Sequence, residues 1–193
     1  TPGMVNAHQH FTGDPLVRSC IPDLLPPGAS IFQWSVPLHG EHSGDDDELS
    51  ATLCAVESLR NGVTTVVEAG TVAHPERVAA GMLAAGVRGT IGSWGWDIEV
   101  GPYTAPCDEV LERQRAVVER FPRGGQVEGW VTLVGPDLAS DRRGLRVPAR
   151  AQTFPYTPGV MSARGSAAQR HTADLTSPQP HQPATPAGPA KPG

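Results

Sequence analysis

The chain alternates between β-branched apolar runs and amphipathic segments, and this alternation limits the folds open to it. The apolar runs lie at 2–10, 63–67, 87–91 and 127–134. Glycines that are predicted to end the preceding helices stand just before the last three runs, at Gly62, Gly86 and Gly124-Gly125. Runs of this kind are typical of buried strands, and helices between successive strands favour a parallel sheet with right-handed crossovers.

The segments between these strands predict three helices. They begin at Asp45, at Pro75 and near Asp108. The first is expected to have a capping box from Asp45 to Glu48. Its apolar stripe consists of Leu49, Leu53, Val56 and Leu59, and the second helix is expected to bury Val78, Met82 and Leu83. Residues 11–44 are predicted to be a long loop with one short helical piece near 31–36.

Two histidines, His8 and His10, stand where the first short strand ends. Residues two apart on a strand project to the same face, so both imidazoles could reach one ion at the carboxyl end of that strand. Imidazole nitrogens suit zinc, and a hydrolytic zinc takes three protein ligands and one water or substrate. The pair therefore predicts part of a metal site, although His-x-His also occurs by chance.

The run from Pro2 to His10 resembles the first barrel strand of the metal-dependent amidohydrolase superfamily. The stretch 58–68 resembles the helix end and second strand that follow in that family, and the spacing between the two also fits. The resemblance covers residues 1 to about 140. It is strongest to the branch of cytosine and guanine deaminases and aminotriazine chlorohydrolases.

This resemblance implies an α/β fold, an incomplete (β/α)8 TIM-type barrel of about four β/α units over residues 1–140. Active sites of such barrels lie at the carboxyl ends of the strands, where His8 and His10 fall. It also implies a divalent metal, zinc with iron and manganese as alternatives, which activates water to deaminate or dechlorinate a small heteroaromatic or C–N substrate.

The chain departs from the family pattern in several places. Asn6 and Glu68 stand where the family often has an acidic residue and Asp, respectively. The later histidine ligands and the late Asp have no matching motif, so no catalytic acid or base can be assigned. We expect the chain to be incomplete and inactive alone. The alternatives are a non-catalytic half-barrel remnant of such an enzyme and a small metal-binding module.

Residues 141–193 differ in composition from the rest. They hold 7 basic and 2 acidic side chains and nine prolines, whereas residues 1–140 hold 8 basic and 18 acidic side chains. Few large apolar residues occur there, which predicts a Pro/Ala/Arg-rich disordered tail. Its composition also suggests a reading-frame shift near residue 141.

Other chemistry-bearing residues have weaker patterns. His39 and His42 flank Glu41, a spacing that allows a metal site but favours a solvated loop or a substrate-facing position in the intact enzyme. His74 is predicted to start a helix, with a pocket-lining role as the alternative. Trp94 and Trp96 follow the third strand, where they could stack on a heteroaromatic ring or pack in the core. The histidines of the tail are interpreted as incidental; they are His171 and His181.

The remaining composition bears on compartment and partners. Three cysteines without a Cys-x-x-Cys spacing indicate a reducing cytoplasm. No apolar run reaches the ~20 residues of a membrane span, and the scattered cations of the tail lack interleaved aromatics. We therefore expect no membrane or nucleic-acid partner. The expected partners are a small-molecule substrate in the intact enzyme and either a homo-oligomer or a complementing chain, because open strand edges invite pairing.

Overall fold

The computed structural model describes residues 1–13, 15–26, 28–98, 101–132 and 140. The predicted tail at 141–193, with its proposed disorder and off-frame origin, lies outside the described residues, as do His171 and His181. Among the described residues, no helix is both long and apolar enough to cross a membrane.

Four parallel strands form one sheet in the order β1-β2-β3-β4. They are β1 (Met4–Gln9), β2 (Val63–Glu68), β3 (Arg88–Ile91) and β4 (Val127–Gly129). The β-branched runs therefore pair in chain order, as the alternation of strands and helices predicted. The fourth strand is shorter than the predicted 127–134, because residues 130–132 are not in a strand, and 133–134 lie outside the described residues.

In the part of the chain that the structure describes, four α-helices accompany the sheet: α1 (Val36–Glu41), α2 (Gly44–Arg60), α3 (Pro75–Ala85) and α4 (Cys107–Arg120). Gly62 and Gly86 adopt positive φ values of 79° and 89°, which an L side chain rarely tolerates, so both act as the predicted stops. The helical piece predicted near 31–36 is longer than expected. A π-helical turn at Ser30–Ser35 runs directly into α1.

The N-cap of α2 lies two residues before the predicted cap at Asp45. Ser43 is the N-cap, its hydroxyl accepts a hydrogen bond from the Asp46 amide, and the Asp46 carboxylate accepts one from the Ser43 amide. The capping box is therefore Ser43–Asp46 and not Asp45–Glu48. A hydroxyl cap satisfies an amide that would otherwise lack a partner in the first turn.

Of the predicted apolar stripe of α2, only Leu59 packs against the core. Leu49, Leu53 and Val56 are 51%, 46% and 42% exposed, and small side chains are buried instead. The buried apolar or small residues of α2 are Ser50, Ala51, Cys54 and Ala55. The close approach of α3 explains this choice, because a Cβ at Gly81 would lie 2.7 Å from the Glu48 carbonyl oxygen. Only small side chains fit between backbones at such a distance.

The core lies between the sheet and the helices α2, α3 and α4. Its fully buried side chains include Phe11, Val66, Val72, Val78, Met82, Val87, Ile91 and Val110. Val78 and Met82 are buried as predicted, but Leu83 is 48% exposed. Leu83 directly follows Met82 and is turned about 100° away from it around the helix.

Candidate metal centre and cleft

His8 and His10 meet at the carboxyl end of β1. Their Nε2 atoms are 3.2 Å apart, and the two rings stand nearly perpendicular with centroids 5.0 Å apart. Two nitrogens bound to one tetrahedral zinc at ~2.0–2.1 Å would be roughly 3.3 Å apart, so the pair fits two corners of such a site. Among the described residues, no cluster of three or more His, Cys, Asp or Glu side chains could hold a metal.

Thr71 orients the second imidazole. Its Oγ1 lies 2.8 Å from His10 Nδ1, and its carbonyl oxygen accepts a 2.9 Å hydrogen bond from the buried Thr12 hydroxyl. When Nδ1 carries the ring proton and donates it to Thr71, the Nε2 lone pair points toward His8. Hydrogen bonds of this kind fix the tautomer and rotation of metal-binding histidines. The sequence analysis missed Thr71, although its place three residues after β2 marks it as a strand-end residue.

A cleft of about 520 Å³ opens at the ends of β1, β2 and β3. It is lined by both histidines and by residues from the loops that follow each strand, including His39, Thr71, Trp94 and Trp96. A volume of this size is typical of pockets for small organic ligands. The strand ends therefore form one concave surface around the imidazole pair.

Trp94 and Trp96 form the apolar wall of this cleft. Both side chains are buried, and their rings contact each other edge to face with centroids 5.2 Å apart. Tyr103 packs on Trp94 with a centroid distance of 5.0 Å. The two tryptophans therefore pack in the core, which is one of the two predicted roles. Because they also line the cleft, stacking on a heteroaromatic ligand stays a prediction.

His39 is buried in α1, so it does not lie in a solvated loop, and its place in the cleft lining leaves the substrate-facing position as a prediction. Its ring contacts those of Trp94 and His42, at centroid distances of 5.5 and 5.6 Å. Burial lowers the pKa of His39 from 6.5 to about 4, with a smaller contribution from the neighbouring His42. His39 is therefore neutral at neutral pH, and it adds an uncharged imidazole to the cleft wall.

A buried carboxylate ties together the loops behind the cleft. Asp47 Oδ1 accepts a 3.1 Å hydrogen bond from His42 Nδ1, and Asp47 Oδ2 accepts a 2.8 Å bond from His74 Nδ1. His74 precedes α3, as predicted, but its bond to Asp47 was not foreseen. Asp47 thus holds the His42 ring in place beside the ring of His39.

Glu68 is fully buried at the end of β2, directly beside Gln9 in the sheet register. The Gly70 amide donates a 2.6 Å hydrogen bond to its Oε2 atom. Burial raises the pKa of Glu68 from 4.5 to about 8, against the opposing effect of backbone amides near the carboxyl. The carboxyl of Glu68 is thus buried in a place that favours its protonated form.

The fold is shared with solved deaminases. An adenosine deaminase from Xanthomonas campestris with bound zinc matches with a TM-score of 0.65 at 22% identity, over 79% of this chain and 34% of that one. A guanine deaminase from C. acetobutylicum with guanine in its active site matches with a TM-score of 0.61 at 15% identity, over 74% and 35%. E. coli guanine deaminase matches with a TM-score of 0.58 at 18% identity, over 80% and 36%.

The chain spans about a third of the length of these structures. At identities below 25%, the likeness establishes a common α/β architecture, and the four described strands with the helices between them correspond to part of the deaminase barrel. No family model matches the chain. No curated protein matches it either.

Proposed function

We propose that His8 and His10 are two protein ligands of a divalent metal ion, zinc in preference to iron or manganese, in a hydrolase of the amidohydrolase type. The 3.2 Å separation of their Nε2 atoms is the observation that carries this proposal. The hydrogen bond between His10 Nδ1 and the Thr71 hydroxyl and the position of both rings at the strand ends support it. The zinc bound by the structurally similar adenosine deaminase adds further support.

The proposed substrate is a heteroaromatic amine or chloride. When bound, a divalent ion lowers the pKa of water from about 15.7 toward about 7 and so supplies a nucleophile at neutral pH. The chain's own residues would position the reaction. Thr71 would fix the His10 ring. The uncharged His39 and the indoles of Trp94 and Trp96 would offer an apolar surface to a planar substrate ring. The cleft is large enough to hold one such ring. The similar structures are named as adenosine and guanine deaminases.

A second candidate is a non-catalytic role, either as a half-barrel remnant or as a small metal-binding module. The absence of a cluster of three potential ligands in residues 1–13, 15–26, 28–98, 101–132 and 140 favours it, because catalytic zinc sites use three protein ligands. A hydrolase and a small metal-binding module would both bind metal through His8 and His10, whereas a half-barrel remnant would retain little. We expect the isolated chain to bind metal weakly and without turnover.

Zinc titration of the purified full chain, freed of metal by a chelator, tests the proposal. We expect one equivalent to bind, and we expect His8→Ala or His10→Ala to weaken binding at least about 100-fold, because one imidazole alone is a poor chelator. His181→Ala removes a histidine outside the described residues and should leave binding unchanged. If the wild type binds no zinc, or if His8→Ala and His181→Ala behave alike, the proposal is wrong.

Thr71→Val should weaken zinc binding about 10- to 100-fold, because the change removes the hydroxyl that orients His10 while keeping the shape of the side chain. Thr71→Ser keeps the hydroxyl and is the matched variant, for which we expect nearly full affinity. The same titration measures both. Equal losses in the two variants would show that the hydroxyl does not act on the metal site.

A further inference from the structure

Helix α2 has an apolar face that no part of the described chain covers. Leu49, Leu53 and Val56 are spaced by four and three residues, so they form one stripe along the helix. Leu53 is two residues from the buried Ala51 and Ala55, which places it about 200° around the helix from each of them. The stripe therefore points away from the core.

Opposite charges extend the same stripe at its two ends. Asp45 is four residues before Leu49, and Arg60 is four residues after Val56, so both fall on the line of the apolar side chains. Asp45 contacts Arg77 but keeps 88% of its side chain exposed. Arg60, in the last turn, is also exposed. The surface of α2 thus runs from acidic through apolar to basic, and we call this surface the α2 stripe.

We propose that the α2 stripe binds the α2 stripe of a second copy of this chain, with the two helices antiparallel about a two-fold axis near Leu53. In that arrangement Leu53 meets Leu53 of the second copy, Leu49 meets its Val56, and Asp45 meets its Arg60. A two-fold interface requires a surface that is complementary to itself. A parallel arrangement would place like charges together at both ends, which disfavours it.

The size of the stripe sets the expected strength of the dimer. A 17-residue helix is about 25 Å long, and one helix pair buries less than the roughly 1,200–2,000 Å² of a standard stable interface. We therefore expect a weak dimer with a dissociation constant on the order of 10–100 µM. This inference is independent of the proposed metal site, since neither imidazole lies on α2.

Sedimentation equilibrium of the full chain over a wide range of concentration tests the proposal. We expect a reversible monomer–dimer equilibrium. Leu53→Asp should weaken dimerisation more than about tenfold, because it removes two half-exposed leucines from the interface and places two like charges at the axis. Leu83→Asp is the matched control, since Leu83 is an exposed leucine on α3. A strictly monomeric wild type, or equal effects of the two variants, would overturn the proposal.

A charge exchange tests the antiparallel arrangement itself. Asp45→Lys and Arg60→Glu should each weaken self-association, because each places like charges at both ends of the pair. An equimolar mixture of the two variants should recover affinity, since opposite charges then meet at both ends. Circular dichroism of each variant checks that α2 remains helical. A mixture that associates no more tightly than either variant alone would show that a different surface, or a different occupant of the stripe, is responsible.

Discussion

Glu68→Gln is expected to remove a loss of stability that the wild-type chain undergoes as the pH rises from about 4.5 to about 8. Glu68 is completely buried, and burial raises the pKa of its carboxyl from 4.5 to about 8. Between these two values the carboxyl is protonated in the folded chain but ionised in the unfolded chain. The folded state therefore binds more protons, and its stability falls with rising pH.

The effect should be large, because a pKa shift of one unit corresponds to about 1.4 kcal/mol and this shift spans several units. Glutamine has the shape of the neutral carboxyl and cannot ionise, so Glu68→Gln should be more stable than the wild type at pH 8 by several kcal/mol. Near pH 4 the two proteins should differ little.

His39 changes stability in the opposite direction and has to be separated from Glu68. Its pKa is lowered to about 4, so between about 4 and 6.5 the folded chain binds fewer protons than the unfolded chain, and stability rises with pH. Above pH 6.5 this contribution is complete. The interval from 6.5 to 8 therefore reports Glu68 with the least interference.

Urea unfolding of wild type and Glu68→Gln through this interval measures the difference in free energy of unfolding. Glu57→Gln is the matched control, since Glu57 is an exposed glutamate whose contact with Arg18 is 3.8 Å long. We expect its pH dependence to follow the wild type. A wild-type free energy that does not fall between pH 6.5 and 8, or a Glu68→Gln variant that keeps the wild-type slope, would contradict the account of Glu68.

The elements that the sequence predicted best are those set by local chemistry. Gly62 and Gly86 end helices at positive φ, and the β-branched runs after them form parallel strands. The proximity of His8 and His10 also followed from a local rule, the two-residue repeat of a strand. Whether they bind metal remains a prediction, since proximity alone does not establish it.

The orientation of α2 could not be predicted in the same way. Periodicity shows which residues share a face of a helix, but it does not show which face meets the core when leucines lie on one side and small residues on the other. The decisive constraint is Gly81 on α3, which lets two backbones approach so closely that only small side chains fit between them. Such a contact depends on two segments far apart in the sequence.

The polar support of the cleft was missed for a related reason. Thr71 bonds to His10 across 61 positions, and Asp47 bonds to His74 across 27. Neither pair belongs to a motif, because their spacing is set by the crossovers between strands. The sequence thus indicated the imidazole pair but not the residues that hold its surroundings in place.

Asp47→Ala is expected to destabilise the chain by on the order of 3 kcal/mol, because it leaves two imidazoles without their buried acceptor. Both oxygens of Asp47 are used, one by His42 and the other by His74. Asp47→Asn keeps the volume but offers only one acceptor oxygen, so we expect an intermediate loss. Urea unfolding at one fixed pH measures all three proteins.

Asp45→Asn is the matched control for this series. Asp45 also lies in the first turn of α2, where a carboxylate interacts favourably with the helix dipole, but its side chain is largely exposed. Its replacement should cost less than about 0.5 kcal/mol at protein concentrations too low for self-association. If Asp47→Ala costs no more than Asp45→Asn, the two imidazole bonds contribute little, and the loops behind the cleft must be held by their apolar contacts instead.

If the difference is as large as expected, Asp47 joins the segment that carries His39 to the segment that carries Thr71. The two walls of the cleft would then depend in large part on this buried carboxylate, because the other polar link between the two segments in the described part of the chain, from Arg77 to Asp45 and Glu48, is more exposed to solvent.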